Sequence, residues 1–178
     1  VPEVPNISGT ELRNNPKEPA DDKSFRQGLI EAQRLRYPVS FQTVDIGVIK
    51  HESQEILLGR KKTDPEGLWR LPGGFVDPSD SSLESAAARE LREEVGNIMT
   101  HEITYLGSSK VEDHRYRNES DKIMTALFLT YYMGGRVAAS DDLEEVAWFT
   151  FDQARVSVVK EHKPLVKKLL DHVEGITN

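Results

Sequence analysis

The sequence predicts an α/β fold, because stretches with a two-residue apolar repeat are interspersed with stretches of helical periodicity. Three segments carry that reading. Val44, Ile46 and Val48 alternate along a strand, Lys122 to Met133 (KIMTALFLTYYM) is rich in β-favouring side chains, and Leu83, Ala87, Leu91 and Val95 recur every four residues as one helix face. Such interspersion favours a layered α/β or α+β sandwich over a helical bundle or a pure β fold.

Residues 1 to 21 are proline-rich and polar with almost no apolar periodicity, as in an extended arm. From Asp22 to Tyr37, the residues Phe25, Leu29, Ile30, Ala32 and Leu35 lie at helical spacing until Pro38 stops the pattern, which predicts a helix. Residues 1–37 are thus read as an N-terminal arm and helix, and 38–178 as the main domain. Phe41 to Lys50 and Glu55 to Arg60, joined by a polar turn at His51 to Gln54, read as a β-hairpin. A helix is predicted from Ser82 to Val95, with Ser81 and Glu84 at capping-box spacing and Gly96 where a helix turns off. A strand group starts near Ile103, and the strand from Lys122 is ended by Gly134 and Gly135. A short strand follows at Val146 to Phe151, and Leu165, Leu169 and Val173 mark a closing helix over His162 to Val173.

A chain of 178 residues is long enough for one domain with its own core. It holds no cysteine, which excludes disulfides and thiolate zinc sites and fits a reducing, cytoplasmic setting. No apolar run approaches the roughly 20 residues of a membrane span, and the first residues lack a basic-then-apolar signal pattern. A soluble protein without membrane contact is expected. Lys plus Arg number 23 against 30 Asp plus Glu, a net charge of -7, which argues against a general nucleic-acid binder. An acidic protein that handles phosphates needs a local charge correction, usually a divalent cation.

The informative segment is Leu71 to Asn97, LPGGFVDPSDSSLESAAARELREEVGN. Glu90, Glu93 and Glu94 lie three and four residues apart, which places three carboxylates on one strip of helix. Sharing a cation relieves their repulsion, and hard oxygen ligands suit magnesium or manganese. An isolated EXXEE is more often a solvated helix face with Arg89 and Arg92 as partners. Gly73 and Gly74 change that balance, because glycine lets backbone approach a metal or phosphate closely.

In Gly74, Asp80, Arg89, Glu90, Leu91, Glu93, Glu94 and Gly96 the segment resembles the signature of the Nudix hydrolase family. It departs from that signature in three places: Asp80 stands for the usual glutamate, eight residues rather than seven separate it from Arg89, and Asn97 replaces an aliphatic. The resemblance extends to GLWRLPGGFV, TVDIGVIK, ILLGRKK and EVAWFTF, and implies a Nudix α/β/α sandwich with a mixed β-sheet from about Pro38 onward. More narrowly, the chain is similar to the Nudix domain of bifunctional nicotinamide mononucleotide adenylyltransferase/ADP-ribose pyrophosphatases. Ile7 to Arg13 (ISGTELR) is similar to a phosphate-binding motif that ends the adenylyltransferase half. That likeness implies a chain that is a fragment of a longer protein, without transferase activity because it has no HxGH-type motif.

The resemblance implies metal-dependent hydrolysis of a nucleoside diphosphate derivative, with ADP-ribose giving AMP and ribose 5-phosphate as the leading expectation. Other nucleoside triphosphate or sugar-nucleotide substrates stand as the alternative. A non-catalytic ADP-ribose sensor is a further one, against which the retained glutamates and the end of the chain at Asn178 speak. The implied ligands of Mg2+ or Mn2+ are Glu90, Glu93, Glu94 and the Gly73 carbonyl, with Arg89 orienting the carboxylates and Gly74 near the substrate. Arg60, Arg70, Arg115 and Arg117 are candidate phosphate contacts, Arg70 foremost. Phe41 or Phe75 is a candidate base-stacking ring, and Glu112, Asp113, Asp142, Glu145 and Glu161 are acids outside the helix that compete with its glutamates as general base. The five histidines show no ligand spacing. The resemblance also implies a homodimer.

Overall fold

The computed structural model describes residues 40–112 and 122–175, together with Gly28 and Ala32, which are helical. The chain divides into two compact units, Val1–Val39 and Ser40–Asn178. The expected arm over 1–21 lies outside the described residues, as does the 22–37 helix apart from Gly28 and Ala32.

The second unit is built on strand β1, Ser40–Lys50, whose side chains are buried on both faces from Thr43 to Ile49. A polar turn leads to β2, Glu55–Lys61, which pairs antiparallel with the end of β1. Strand β3, Gly73–Phe75, pairs antiparallel with its beginning. Helix α1 spans Leu83–Val95 and is followed by β4, Ile98–Thr100, and β5, Thr104–Val111. Strand β6, Lys122–Gly135, runs parallel to β1 along almost the whole length of β1, while β5 and β4 pair antiparallel with the other edge of β6. Strand β7, Leu143–Thr150, closes the sheet against β2, and helices α2, Phe151–Ser157, and α3, Lys163–Val173, complete the unit. The sheet is therefore mixed, as expected. No helix among the described residues is long and apolar enough to cross a membrane.

Alternation along β1 sorts the core into two layers. Val44, Ile46 and Val48 pack with Ala87, Leu91 and Val95 of α1, whereas Ile49 joins Leu165, Val166, Leu169 and Leu170 of α3 on the other side. This is the α/β/α sandwich that the resemblance implied.

Four local readings change. The cap of α1 is Ser82 rather than Ser81, with Ser85 rather than Glu84 closing the box: Ser82 Oγ accepts the Ser85 N–H and Ser85 Oγ accepts the Ser82 N–H. A short hydroxyl suffices there because both groups lie within one turn. Gly134 and Gly135 are the last two residues of β6 rather than lying beyond it; they adopt positive φ and pair with Met99 and Ile98 of β4, a three-residue strand with no periodicity to reveal it. Strand β7 begins at Leu143, and Thr150 with Gln153 forms a capping box that opens α2, an element unread although T-x-x-Q is visible in the sequence. The closing helix starts at Lys163, after a 3-10 turn at Lys160–His162, with Pro164 in its first turn.

The sheet and α3 meet closely at Gly47, where an added Cβ would overlap the Leu169 side chain. Gly47→Ala should therefore lower stability by about 1–3 kcal/mol through overpacking, read as a lower urea midpoint. An unchanged midpoint would show that α3 is not held against β1 at this point.

Candidate active site

Two glycines bring backbone and carboxylates together. In the β1–β3 pairing Asp45 lies opposite Gly73 and Val44 opposite Gly74, beneath α1. Gly73 has φ 149°, and a Cβ there would run into the Val44 carbonyl. At Gly74 a Cβ would lie 2.6 Å from Glu90 Oε2, so any side chain would displace that carboxylate.

Glu94 is 1% exposed; its Oε2 accepts the Gly73 N–H at 2.7 Å and its Oε1 lies 3.1 Å from Lys61 Nζ. Burial pushes its carboxyl up to about 7, against the opposing pull of Lys61 and the Gly73 N–H. Burial also raises Glu90, with Arg89 opposing. Glu93 is half exposed. Arg89 joins the cluster: Nη1 donates to Glu90 Oε1 and Glu93 Oε2, both at 2.8 Å, and Nη2 donates to the Phe75 carbonyl at 3.0 Å. Asp80 accepts from Arg89 Nε at 3.0 Å and Nη2 at 2.8 Å, and this bond holds its carboxyl below the usual range. The extra residue lies between Asp80 and Arg89, at the approach to α1, and Asp80, whose Oδ2 also accepts the Asp77 N–H, still reaches the arginine.

These groups line a cavity of about 430 Å³. Its wall includes Glu90, Glu93, Glu94, Arg89, Gly73, Gly74 and Phe75. Arg70 lines it too, but its guanidinium forms a buried pair with Asp64, which engages Nε and Nη2. Arg60 is not among the lining residues; it pairs with Glu144 and Glu145. Phe41 is exposed and packs edge-on against Phe75, with ring centres 6.2 Å apart. Asp113, Arg115 and Arg117 lie outside the described residues. Of the other acids read as general-base candidates, Asp142 reaches the cavity, and Glu112, Glu145 and Glu161 do not line it.

Sequence reasoning passed over Lys61, Asp45, Asp141 and His162, which also line the cavity. His162 Nδ1 accepts the Leu71 N–H at 3.2 Å, and Asp45 accepts from the Thr125 hydroxyl. A lysine ending a strand carried a weak signal; an aspartate within the apolar run of β1 was a stronger one.

Among the described residues, no three acidic or imidazole side chains stand as a ready cage around an ion. Lys61 and Arg89 are the present cationic partners of the glutamates. The donor chemistry nevertheless fits a hard divalent cation: two buried carboxylates and a third half-exposed one share a cavity with a glycine backbone.

The raised Glu94 carboxyl makes stability pH-dependent. In an unfolded chain a glutamate titrates near 4.5, whereas Glu94 in the fold keeps its proton to about 7. The folded state then binds the proton more tightly, so stability falls as pH rises between those values and levels off above. Denaturation in chelator at pH 5 and pH 8 should show wild type losing on the order of 1–3 kcal/mol more than Glu94→Gln. Equal losses would exclude Glu94 as the titrating group.

The sequence from residue 41 to 171 matches the NUDIX domain family model. An ADP-ribose pyrophosphatase of Methanocaldococcus jannaschii is 28% identical over 129 residues, 72% of this chain and 73% of that protein. A bifunctional NMN adenylyltransferase/ADP ribose pyrophosphatase from Francisella tularensis is similar in structure with a TM-score of 0.59 and 26% identity, over 84% of this chain and 47% of that one. This chain spans about half the length of that protein. The NUDIX domain of Shewanella oneidensis NrtR, complexed with ADP ribose, shares the fold with a TM-score of 0.64 at 22% identity, over 80% of this chain and 98% of that one. With the matched region covering β1 through most of α3 and the signature helix folded onto its glycine pair, the chain belongs to the NUDIX domain family of hydrolases.

Proposed function

We propose that this chain hydrolyses the pyrophosphate bond of a nucleoside diphosphate derivative, with ADP-ribose cleaved to AMP and ribose 5-phosphate. The observation that carries this reading is the convergence of buried Glu90 and Glu94 with the Gly73–Gly74 backbone on one cavity. The similar ADP-ribose pyrophosphatases support the choice of substrate.

Glu90, Glu93, Glu94 and the Gly73 carbonyl would hold a divalent cation, magnesium with manganese as substitute. When bound, it neutralises pyrophosphate charge and lowers the pKa of a water. The chain's own residues supply the rest. Arg89, fixed by Asp80 and the Phe75 carbonyl, keeps Glu90 and Glu93 turned toward the cavity. Glu93, the exposed member of the three, has the freedom to take a proton from the attacking water. Gly74, without a side chain, lets the Glu90 carboxylate lie against the β3 backbone at the edge of the substrate site. The Phe41–Phe75 pair offers a ring face for the base, and Arg70, braced by Asp64, lines the wall as a substrate contact rather than as a free charge. Arg60, which does not line the cavity, would meet a substrate that reaches beyond it, and Arg115 is proposed as a further phosphate contact. We further propose a homodimer, on the family resemblance, and a cytoplasmic setting, on the absence of cysteine.

The test is anion-exchange analysis of products after incubation with magnesium and ADP-ribose, NADH, diadenosine polyphosphates or nucleoside triphosphates. AMP and ribose 5-phosphate should form from ADP-ribose, and Glu93→Gln combined with Glu94→Gln should slow this by at least about 10²-fold. Cleavage of triphosphates alone would replace the substrate, and no turnover of any member of the panel would overturn the enzymatic reading. Phe75→Ala should raise KM for ADP-ribose about 5- to 10-fold with little change in kcat, as loss of stacking would; a loss confined to kcat would place the base elsewhere.

A further inference from the structure

Glu94 has a cationic partner that neither the family signature nor the proposed mechanism uses. Along β2, Leu57 packs with the α1 layer and Ile56 and Leu58 with the α3 layer. A Cβ on Gly59 would meet Leu143, again in the α1 layer. By the two-residue alternation Lys61 also faces α1. Its backbone is fixed, because Asp64 Oδ2 accepts the Lys61 N–H at 2.8 Å. The β2–β7 register slips at this point, from Arg60 opposite Glu145 to Lys61 opposite Leu143. The extra residue, Glu144, is on β7, so the alternation along β2 is kept to Lys61.

The ammonium of Lys61 stands between two carboxylates, 3.1 Å from Glu94 Oε1 and 3.2 Å from Asp142 Oδ2. The two seats differ in kind: the Glu94 side chain is 2% exposed and that of Asp142 is 68% exposed. The turn that carries Asp142 is tied to the end of α1, since Ser140 N–H donates to the Glu94 carbonyl at 3.0 Å and Leu143 N–H to the Ser140 carbonyl at 3.1 Å. Both seats therefore belong to one framework and the ammonium touches both, so a small shift of the flexible lysine stem would be enough to favour one over the other. Arg89 has no such freedom, because Asp80 and the Phe75 carbonyl hold it independently of the glutamates.

A buried carboxylate without a counter-ion is costly. Lys61 meets that need at Oε1, the Glu94 oxygen that the Gly73 N–H leaves to another partner. We infer that Lys61 is an exchangeable counter-ion, seated on Glu94 in the cation-free protein and withdrawn onto Asp142 when a divalent cation binds. The inference rests on Glu94 being a cation ligand, and it makes Lys61 a positioning residue that weakens cation affinity while keeping the empty site intact.

Mn2+ binding, followed by electron paramagnetic resonance at pH 8, tests it on the whole chain. Lys61→Met should bind Mn2+ about tenfold more tightly than wild type, because the competing charge is gone. Lys61→Gln serves as a second variant should the methionine disturb folding, and Lys61→Arg should stay near wild type. Asp142→Asn should bind several-fold more weakly, since the lysine loses its second seat. Combined with Lys61→Met, it should have no effect of its own, a non-additivity that a purely structural lysine would not produce. Unchanged or weaker binding by both neutral variants, or an Asp142→Asn effect that persists without the lysine, overturns the exchange. Wild-type binding absent, or insensitive to Glu94→Gln, overturns the cation reading itself, and this inference with it.

Discussion

The hydrogen bond from the Gly73 N–H to Glu94 is the contact on which the arrangement of the site depends. It joins a three-residue strand, too short to be stable by its own pairing, to the helix that carries the signature. Strand β3 has no side chain to pack at Gly73 or Gly74, so its position comes from β1 on one side and the carboxylates of α1 on the other. The helix is in turn held down by Ala87, Leu91 and Val95 against the sheet. Hydrophobic packing thus sets how deep the glutamates sit, and the glycine backbone sets which way they point.

That depth explains the cationic residues around them. Three acids on adjacent turns, two of them buried, would repel one another and resist leaving water. Arg89 answers for Glu90 and Glu93, and Lys61 for Glu94. The arginine is planar and saturated with partners, which suits a fixed brace; the lysine is a point charge on a flexible stem, which suits a partner that moves. Asp80 belongs to the arginine's setting. Its displacement by one residue along the sequence does not prevent this, because a turn can absorb an insertion that a helix cannot.

The layered fold was legible because periodicity is strong where both faces of an element are committed: β1, β6, α1 and α3 all announced themselves. The elements missed were short or pinned by partners distant in sequence. Strands β3 and β4 exist because β1 and β6 offer them an edge, and no local pattern encodes that offer. Within the site, the contiguous signature from Gly73 to Glu94 was readable as a unit. Lys61, Asp45 and His162 were not, since they reach the cavity from β2, β1 and the turn before α3 and share no spacing. Arg70, foremost in the sequence reading because it adjoins the glycines, does line the cavity, but its pairing with Asp64, six residues earlier, was not legible from spacing.

The parallel pairing of β1 with β6, from Ser40 opposite Lys122 to Ile49 opposite Tyr131, also governs how the chain can fold. The β1–β2 hairpin and the β1–β3 pairing join near neighbours and can form early, but one long edge of β1 stays open until β6 has been made. On a ribosome, every residue of the signature would therefore emerge before the strand that completes the floor beneath it. An unpaired apolar edge invites association with other chains. The interval between synthesis of β1 and of β6 is thus the period in which the nascent protein is most exposed to aggregation and to chaperone capture.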